Sequence, residues 1–343
     1  MARPKPKPLP DDNRPGEFRV SQSKVKTWRR CHYAYHLRYV ERLRKKAKSR
    51  PLQFGTIIHQ MLEADAEGDD PFAVLPRVLK EQGKLFAAER EMYGDILEDI
   101  RQIMSAYFDY WPEKDLKFER RDGKSGEHEF NIELFPGVIW NGKIDAIGRT
   151  PNKLRWLVEN KTFNRKPSDD DRWRNLQSCT YIRANDMLGW PNADGMCWNY
   201  IGSKVPAKPG LLKDGAMSEK NIVTLPITVR ETIKELGLKE KDHKGFIKRS
   251  EEHLSSWFQR IHTPVNTSVV DSVFEDFKFS ILEMIDGHEK CKDKNIEKHC
   301  GWCDYNALCR AELEGNDVDY LKQKDYESGK TDEKDTTIAD PTD

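Results

Sequence analysis

The sequence lacks any apolar run of the roughly 18 residues that a membrane-spanning helix needs, so none is expected. Its N-terminus, Met1-Ala2-Arg3-Pro4-Lys5-Pro6-Lys7-Pro8, has no apolar core. A secretory signal is therefore not expected, and the protein is placed in the cytoplasm. Net charge is also lacking, since 58 Lys and Arg balance 58 Asp and Glu. That leaves any nucleic-acid binding to local patches. No internal repeat is visible. Seven cysteines, an odd number in a chain without a secretory signal, argue against a disulfide scaffold and make metal binding the better default.

What is there is a chain of 343 residues, 37% hydrophobic and 34% charged, enough for one large domain or two modest ones. Residues 1–16 are rich in Pro, Lys and Asp and read as a disordered arm. The polar, acidic stretch 315–343 reads as a disordered tail, leaving 17–314 as a single domain. Deleting 316–343 is then expected to leave activity and melting temperature nearly unchanged. Ser23 is placed to cap a helix over about 23–40, and a second helix runs over about 52–66. Helical patterns follow at 71–90 and 94–111. The period then changes, with residues 127–135 alternating like a half-buried strand. Further strands are expected at 138–148, 154–161, 196–201 and 221–229, and helices at 169–188, 230–260 and 267–290. The order predicts an α/β domain, a mixed sheet flanked by helices. Between Arg42 and Arg50, six residues in nine are basic; the run reads equally as a solvated helix end or a phosphate-tracking patch.

Asp145 ends one apolar run, in Gly142-Lys143-Ile144-Asp145, and Glu159-Asn160-Lys161 ends the next. A turn at Thr150-Pro151-Asn152-Lys153 would bring the two acids side by side. Adjacent carboxylates repel unless a cation sits between them. Lys161, two residues beyond Glu159, points to the same side of a strand. Two acids and a Lys on one face suit a hard cation such as Mg²⁺ and the charge that develops on a phosphate.

Cys300-x2-Cys303-x5-Cys309 presents three thiolates to one centre. Cys31, amid Trp28, Tyr33 and Tyr35, is the best fourth ligand, with Cys291 and His299 as competitors. Four thiolates suit Zn²⁺ or an iron–sulfur cluster. Cys179 and Cys197 stand in apolar contexts and read as small buried residues.

Taken in order, these features resemble the PD-(D/E)XK nuclease superfamily over roughly residues 20–312. The resemblance is nearest to RecB-type nucleases with an iron–sulfur cluster: CRISPR-associated adaptation exonucleases, the AddB nuclease domain and phage exonucleases. It rests on Ser21-x-Ser23 with Trp28 and Cys31, Gly55-x3-His59, Gly142-Lys143-Ile144-Asp145, Glu159-Asn160-Lys161, Gln177-x3-Tyr181 and the terminal cysteine triad. It implies a restriction-endonuclease-like core. It implies that His59, Asp145, Glu159 and the Asn160 carbonyl hold Mg²⁺ or Mn²⁺, and that Lys161 orients the attacking water. Gln177 and Tyr181 would position the strand or Lys161. A [4Fe-4S] cluster on Cys31, Cys300, Cys303 and Cys309 would tie the N-terminal helix to the C-terminal segment. The implied activity is metal-dependent exonucleolytic cleavage of single-stranded DNA or DNA ends, beside a single-strand annealing or recombination protein, with Trp28, Tyr33, Tyr39, Arg42, Arg44 and Lys45 lining the way in. A non-catalytic DNA-binding scaffold that keeps the fold is the alternative. Asn160, where an apolar residue is commoner, is expected to point away from the acids without consequence. Residues 202–265 fall outside the resemblance.

Overall fold

The computed structural model describes residues 17–83, 87–111, 115–165, 168 and 170–328. The expected N-terminal arm lies outside them. Strand β1 (Phe18–Val20) leads into helix α1 (Gln22–Arg30), which Ser21 rather than Ser23 caps, its Oγ accepting from the Lys24 N–H at 3.2 Å. The helix expected over 23–40 breaks at Cys31, whose backbone is extended at φ −166° and ψ 118°. It resumes as α2 (His32–Tyr35) and a π-helical turn over His36–Val40. Strand β2 (Leu43–Lys45) precedes α3 (Arg50–Glu67), α4 (Val74–Gln82), α5 (Ala87–Tyr93) and α6 (Ile96–Tyr110).

Strands β3 (Lys117–Phe118), β4 (Gly126–Phe135), β5 (Val138–Arg149) and β6 (Arg155–Phe163) form a meander. Helices α7 (Asp170–Trp173) and α8 (Leu176–Met187) replace the single helix expected over 169–188, because Asn175 caps α8 through its side chain. Then come β7 (Gly195–Gly202), α9 (Pro226–Glu235) and α10 (Lys244–Glu252). They are followed by β8 (Phe258–Pro264), α11 (Thr267–Gly287), α12 (Asn306–Leu313), α13 (Val318–Asp325) and β9 (Tyr326–Ser328).

Three departures from expectation have physical causes. The β-branched run 221–229 forms no strand; Pro226 stands at the first turn of α9, where its missing N–H costs nothing. Residues 258–260, expected to end the helix over 230–260, instead open a strand that runs to Pro264 and pairs antiparallel with β7 at the sheet edge. The tail does not begin at 315: α13 and β9 follow, β9 pairs with β2, and Tyr326 is buried among Tyr33, Leu37, Leu43, Tyr305 and Leu308. Only residues 329–343 of the expected tail lie outside the described ones.

The sheet is mixed, in the order β1-β5-β6-β7-β8, with β3 and β4 also pairing with β5. Helices α8 and α11 cover one face of it. Ile182 and Ala184 of α8 and Phe277 and Ile281 of α11 share a core there with Trp140, Leu157 and Trp198 of the sheet. Side chains of α3, α4 and α6 form a second core with Ile201 of β7 and Phe258 of β8.

Candidate active site

The site lies where β5 loses one neighbour and gains another. On one side, β5 pairs with β1 through Trp140 and with β6 only from Ala146 onward. β6 pairs with β5 only as far as Val158, while on its other side it pairs with β7 from Trp156 to Phe163. Asp145 and Glu159 stand at this fork, next to the last paired residues of each strand. The Asn160 N–H donates to Asp145 Oδ2 at 2.8 Å, so a side chain takes over where the β5–β6 ladder stops. Gly142 of the same motif has a packing cause, since a Cβ there would lie 2.3 Å from the Phe130 ring.

The sequence-derived residues converge here. His59 Nδ1 on α3 lies 3.7 Å from Asp145 Oδ2. The His59 ring also hydrogen-bonds the Asn160 backbone. Lys161 Nζ is 3.3 Å from Glu159 Oε1 and donates to Gln177 Oε1 at 3.2 Å. Gln177 Nε2 donates to Glu159 Oε1 at 2.8 Å, so α8 holds both members of the Glu-x-Lys pair. Tyr181, one turn further on, is buried against the Gln177 side chain and the Lys143 backbone.

Burial dominates the electrostatics. It raises Asp145 to about 6, opposed by the Asn160 hydrogen bond and the Lys161 charge. It raises Glu159 to about 7, and the Asp145 charge adds to the rise. Burial lowers His59, which favours the neutral imidazole that ligates metals. Glu159 Oε2 is buried without a hydrogen-bond partner. An orphaned carboxylate oxygen beside a second acid, a neutral imidazole and a backbone carbonyl fits a hard divalent cation. The linkage sign follows. Both acids have folded values above their ordinary 3.8 and 4.5, so the stability gained by keeping them protonated is present at low pH and lost as pH rises through about 6 to 7. Added Mn²⁺ is expected to raise the melting temperature more at about pH 8 than at about pH 5.5. Equal shifts in differential scanning fluorimetry would contradict it.

Two features had no signal in the sequence, the reach of Glu127 into the site and the network behind Asn160. Glu127 on β4 has a left-handed backbone at φ 49° and pairs with Lys143 at 2.6 Å, and its charge reaches both His59 and Asp145. Asn160 has a consequence after all. It points to the opposite face, where its Oδ1 accepts from Asn199 Nδ2 at 2.8 Å. Asn199 shares hydrogen bonds with the Tyr107 hydroxyl, which accepts from Arg260 at 3.0 Å, and Arg260 reaches Asp115 at 2.7 Å. Asn160→Leu leaves the Asn199 amide short of a partner and is expected to cost about 1–3 kcal/mol in urea denaturation. An unchanged midpoint would show that the network does not hold the strand.

The entrance assigned from sequence is corrected at its two buried aromatics, and the basic run 42–50 is in part taken up within the fold. Trp28 and Tyr33 are buried and cannot stack on bases. Lys46 caps the end of α13 and Arg50 pairs with Asp99, so these two are occupied within the fold, whereas Lys45 stays half exposed with Asp304 at 3.8 Å.

Cys31, Cys303 and Cys309 are free thiols packed against one small core, and the free thiol of Cys300 stands three residues before Cys303. Burial raises Cys303 and Cys309, a cost that metal coordination removes. The donor set fits a four-thiolate centre. Cys179 and Cys197 are buried in apolar surroundings, as expected.

The match to a family decides the class: the family model for the PD-(D/E)XK nuclease superfamily covers residues 19–310. The chain belongs to the PD-(D/E)XK nuclease superfamily. Among solved structures it is similar to a candidate exonuclease from Eubacterium rectale, at 14% identity over 67% of this chain and 81% of that one, with a TM-score of 0.36. It is also similar to SSO0001, at 14% identity over 85% and 96%, with a TM-score of 0.29. No curated protein matches. No described helix of this nuclease is long and apolar enough to cross a membrane.

Proposed function

We propose that this nuclease is a Mg²⁺- or Mn²⁺-dependent deoxyribonuclease that degrades single-stranded DNA, or fraying duplex ends, from an end. The observation that carries the reading is the fork between β5 and β6, which sets Asp145 beside Glu159 and leaves Glu159 Oε2 buried and unpartnered. His59, Asp145, Glu159 and the Asn160 carbonyl are the residues that would hold the cation. When bound, the cation supplies Lewis acidity to the scissile phosphate and an acidic water. Lys161, clamped by Glu159 and Gln177, keeps its ammonium aimed at the site, where it orients the attacking water and stabilises charge gathering on the phosphate. Tyr181 holds Gln177 in turn. Exposed Trp173, with the Arg174 guanidinium 5.4 Å from its ring centroid, precedes Gln177 and offers stacking and charge to an unpaired strand. The four cysteines take a [4Fe-4S] cluster in a structural role. A single-strand annealing or recombination protein is the partner that such an activity serves.

The test compares a linear single strand with a covalently closed circle of equal length, with Mg²⁺ or Mn²⁺ present. Degradation of the linear strand alone is expected, weakening steeply with salt. Equal rates would make the protein an endonuclease; degradation of neither would reject the catalytic reading.

A further inference from the structure

We propose that His32, Cys291 and Asp293 form a binding site for a transition-metal dication such as Zn²⁺, separate from the catalytic acids and from the four-cysteine pocket. A ring nitrogen of His32, the Cys291 sulfur and a carboxylate oxygen of Asp293 all lie within 4.8 Å of one another. His32 Nδ1 and Asp293 Oδ1 are 2.7 Å apart, so the two donors already converge.

Each donor is held by its surroundings. The His32 ring lies against Trp28, with centroids 4.0 Å apart. The Cys291 N–H donates to the Gly287 carbonyl at 2.8 Å, where α11 ends. A Cβ on Gly287 would come within 2.8 Å of the Cys291 sulfur and 3.1 Å of the Trp28 ring, so glycine is what leaves room for the thiol. The Asp293 carbonyl accepts from the Tyr33 N–H at 3.0 Å, which pins the loop to the start of α2.

The group adjoins the four-cysteine pocket, the Cys31 thiol lying 4.0 Å from the Asp293 carbonyl, but its donor atoms come from other side chains. Cys291 packs against the main core, whereas Cys31, Cys303 and Cys309 pack against Tyr33, Leu37, Tyr305 and Leu308. Imidazole, thiolate and carboxylate together suit Zn²⁺ or Co²⁺ and disfavour Mg²⁺, which avoids sulfur. Cys291 and His32 are half-buried and Asp293 is exposed, so the ion has a route in and a fourth position open to water. An ion there would join α2 to the segment after α11 beside the four-cysteine pocket.

The experiment titrates Co²⁺, then Zn²⁺, into the full chain purified with its iron content measured. One thiolate-bound Co²⁺ per chain is expected, besides any Co²⁺ held by His59, Asp145 and Glu159, with a thiolate-to-cobalt absorption that Zn²⁺ displaces. Cys291→Ser should abolish that absorption, and His32→Asn should weaken Co²⁺ binding by at least about tenfold, roughly one lost ligand at 1.4 kcal/mol per decade. Both variants should keep the wild-type iron content and nuclease rate. In the unmodified chain, Zn²⁺ should shield Cys291 from alkylation, read by peptide mass spectrometry, so the test does not depend on a variant folding. Unchanged Co²⁺ absorption in Cys291→Ser, or equal alkylation with and without Zn²⁺, would overturn the site. Loss of iron in Cys291→Ser would assign that thiol to the four-cysteine centre and overturn it as well.

Discussion

Asp145→Asn is expected to abolish metal-dependent cleavage and, in the same protein, to raise the melting temperature of the metal-free form at about pH 8. The two effects share one cause. Asp145 and Glu159 are acids that burial holds toward neutrality, and the Asp145 charge pushes Glu159 further the same way. Without a cation, ionising both is costly, and replacing one carboxylate by an isosteric amide removes that cost. The amide oxygen of Asn can still accept from the Asn160 N–H, so the strand fork keeps its hydrogen bond. Activity should fall by about 10³-fold or more, the scale of a lost electrostatic group at the reacting centre. Lys161→Ala should lose activity to a similar degree. Wild-type turnover in Asp145→Asn would end the catalytic assignment, and a lowered melting temperature would show that the carboxylate stabilises the apo fold.

Ending the chain at Gly315 rather than at Ser328 should separate two very different proteins. Truncation after Ser328 keeps every described element, and its melting temperature should match the full chain. Truncation after Gly315 removes α13 and β9, strips β2 of its pairing, and removes Tyr326 from its stack on Tyr305, with ring centroids 5.9 Å apart. Losing a buried aromatic side chain typically costs about 3–5 kcal/mol. The shorter chain should therefore melt well below the longer one and hold less iron, since Tyr305 and Leu308 wall the cysteine pocket. Matching melting curves for the two truncations would return residues 316–328 to the status of a tail.

The residues of the candidate site were legible because each left a local mark. Asp145 and Glu159 end consecutive apolar runs joined by a turn, and a period of two puts Lys161 on the face of Glu159. What stayed hidden depends on distant partners. Nothing near Asn160 shows that Asn199, Tyr107 and Arg260 lie behind it. Glu127 gives no sign of its left-handed backbone. In the fold, 221–229 misled because β-branched residues favour strands while Pro226 opens a helix. Strand β8 escaped because an edge strand needs few apolar residues, and Phe258-Gln259-Arg260-Ile261-His262 shows little alternation. The tail escaped because its charge outweighs the few side chains, Leu321 and Tyr326 among them, that anchor it.

The pairing of β2 with β9 sets an order of events during synthesis. Leu43 leaves the ribosome long before its partner Ser328. Cys31 likewise waits for Cys300, Cys303 and Cys309. At the usual rate of roughly 5–20 residues per second, the interval is on the order of tens of seconds. During it the nascent chain shows an open strand edge on β2 and a Cys31 thiol without its partners, even after β8 has completed the main sheet. Closure therefore reports that synthesis has passed Ser328, and a chain released before that point has the acids of the candidate site without the strand that pairs β2.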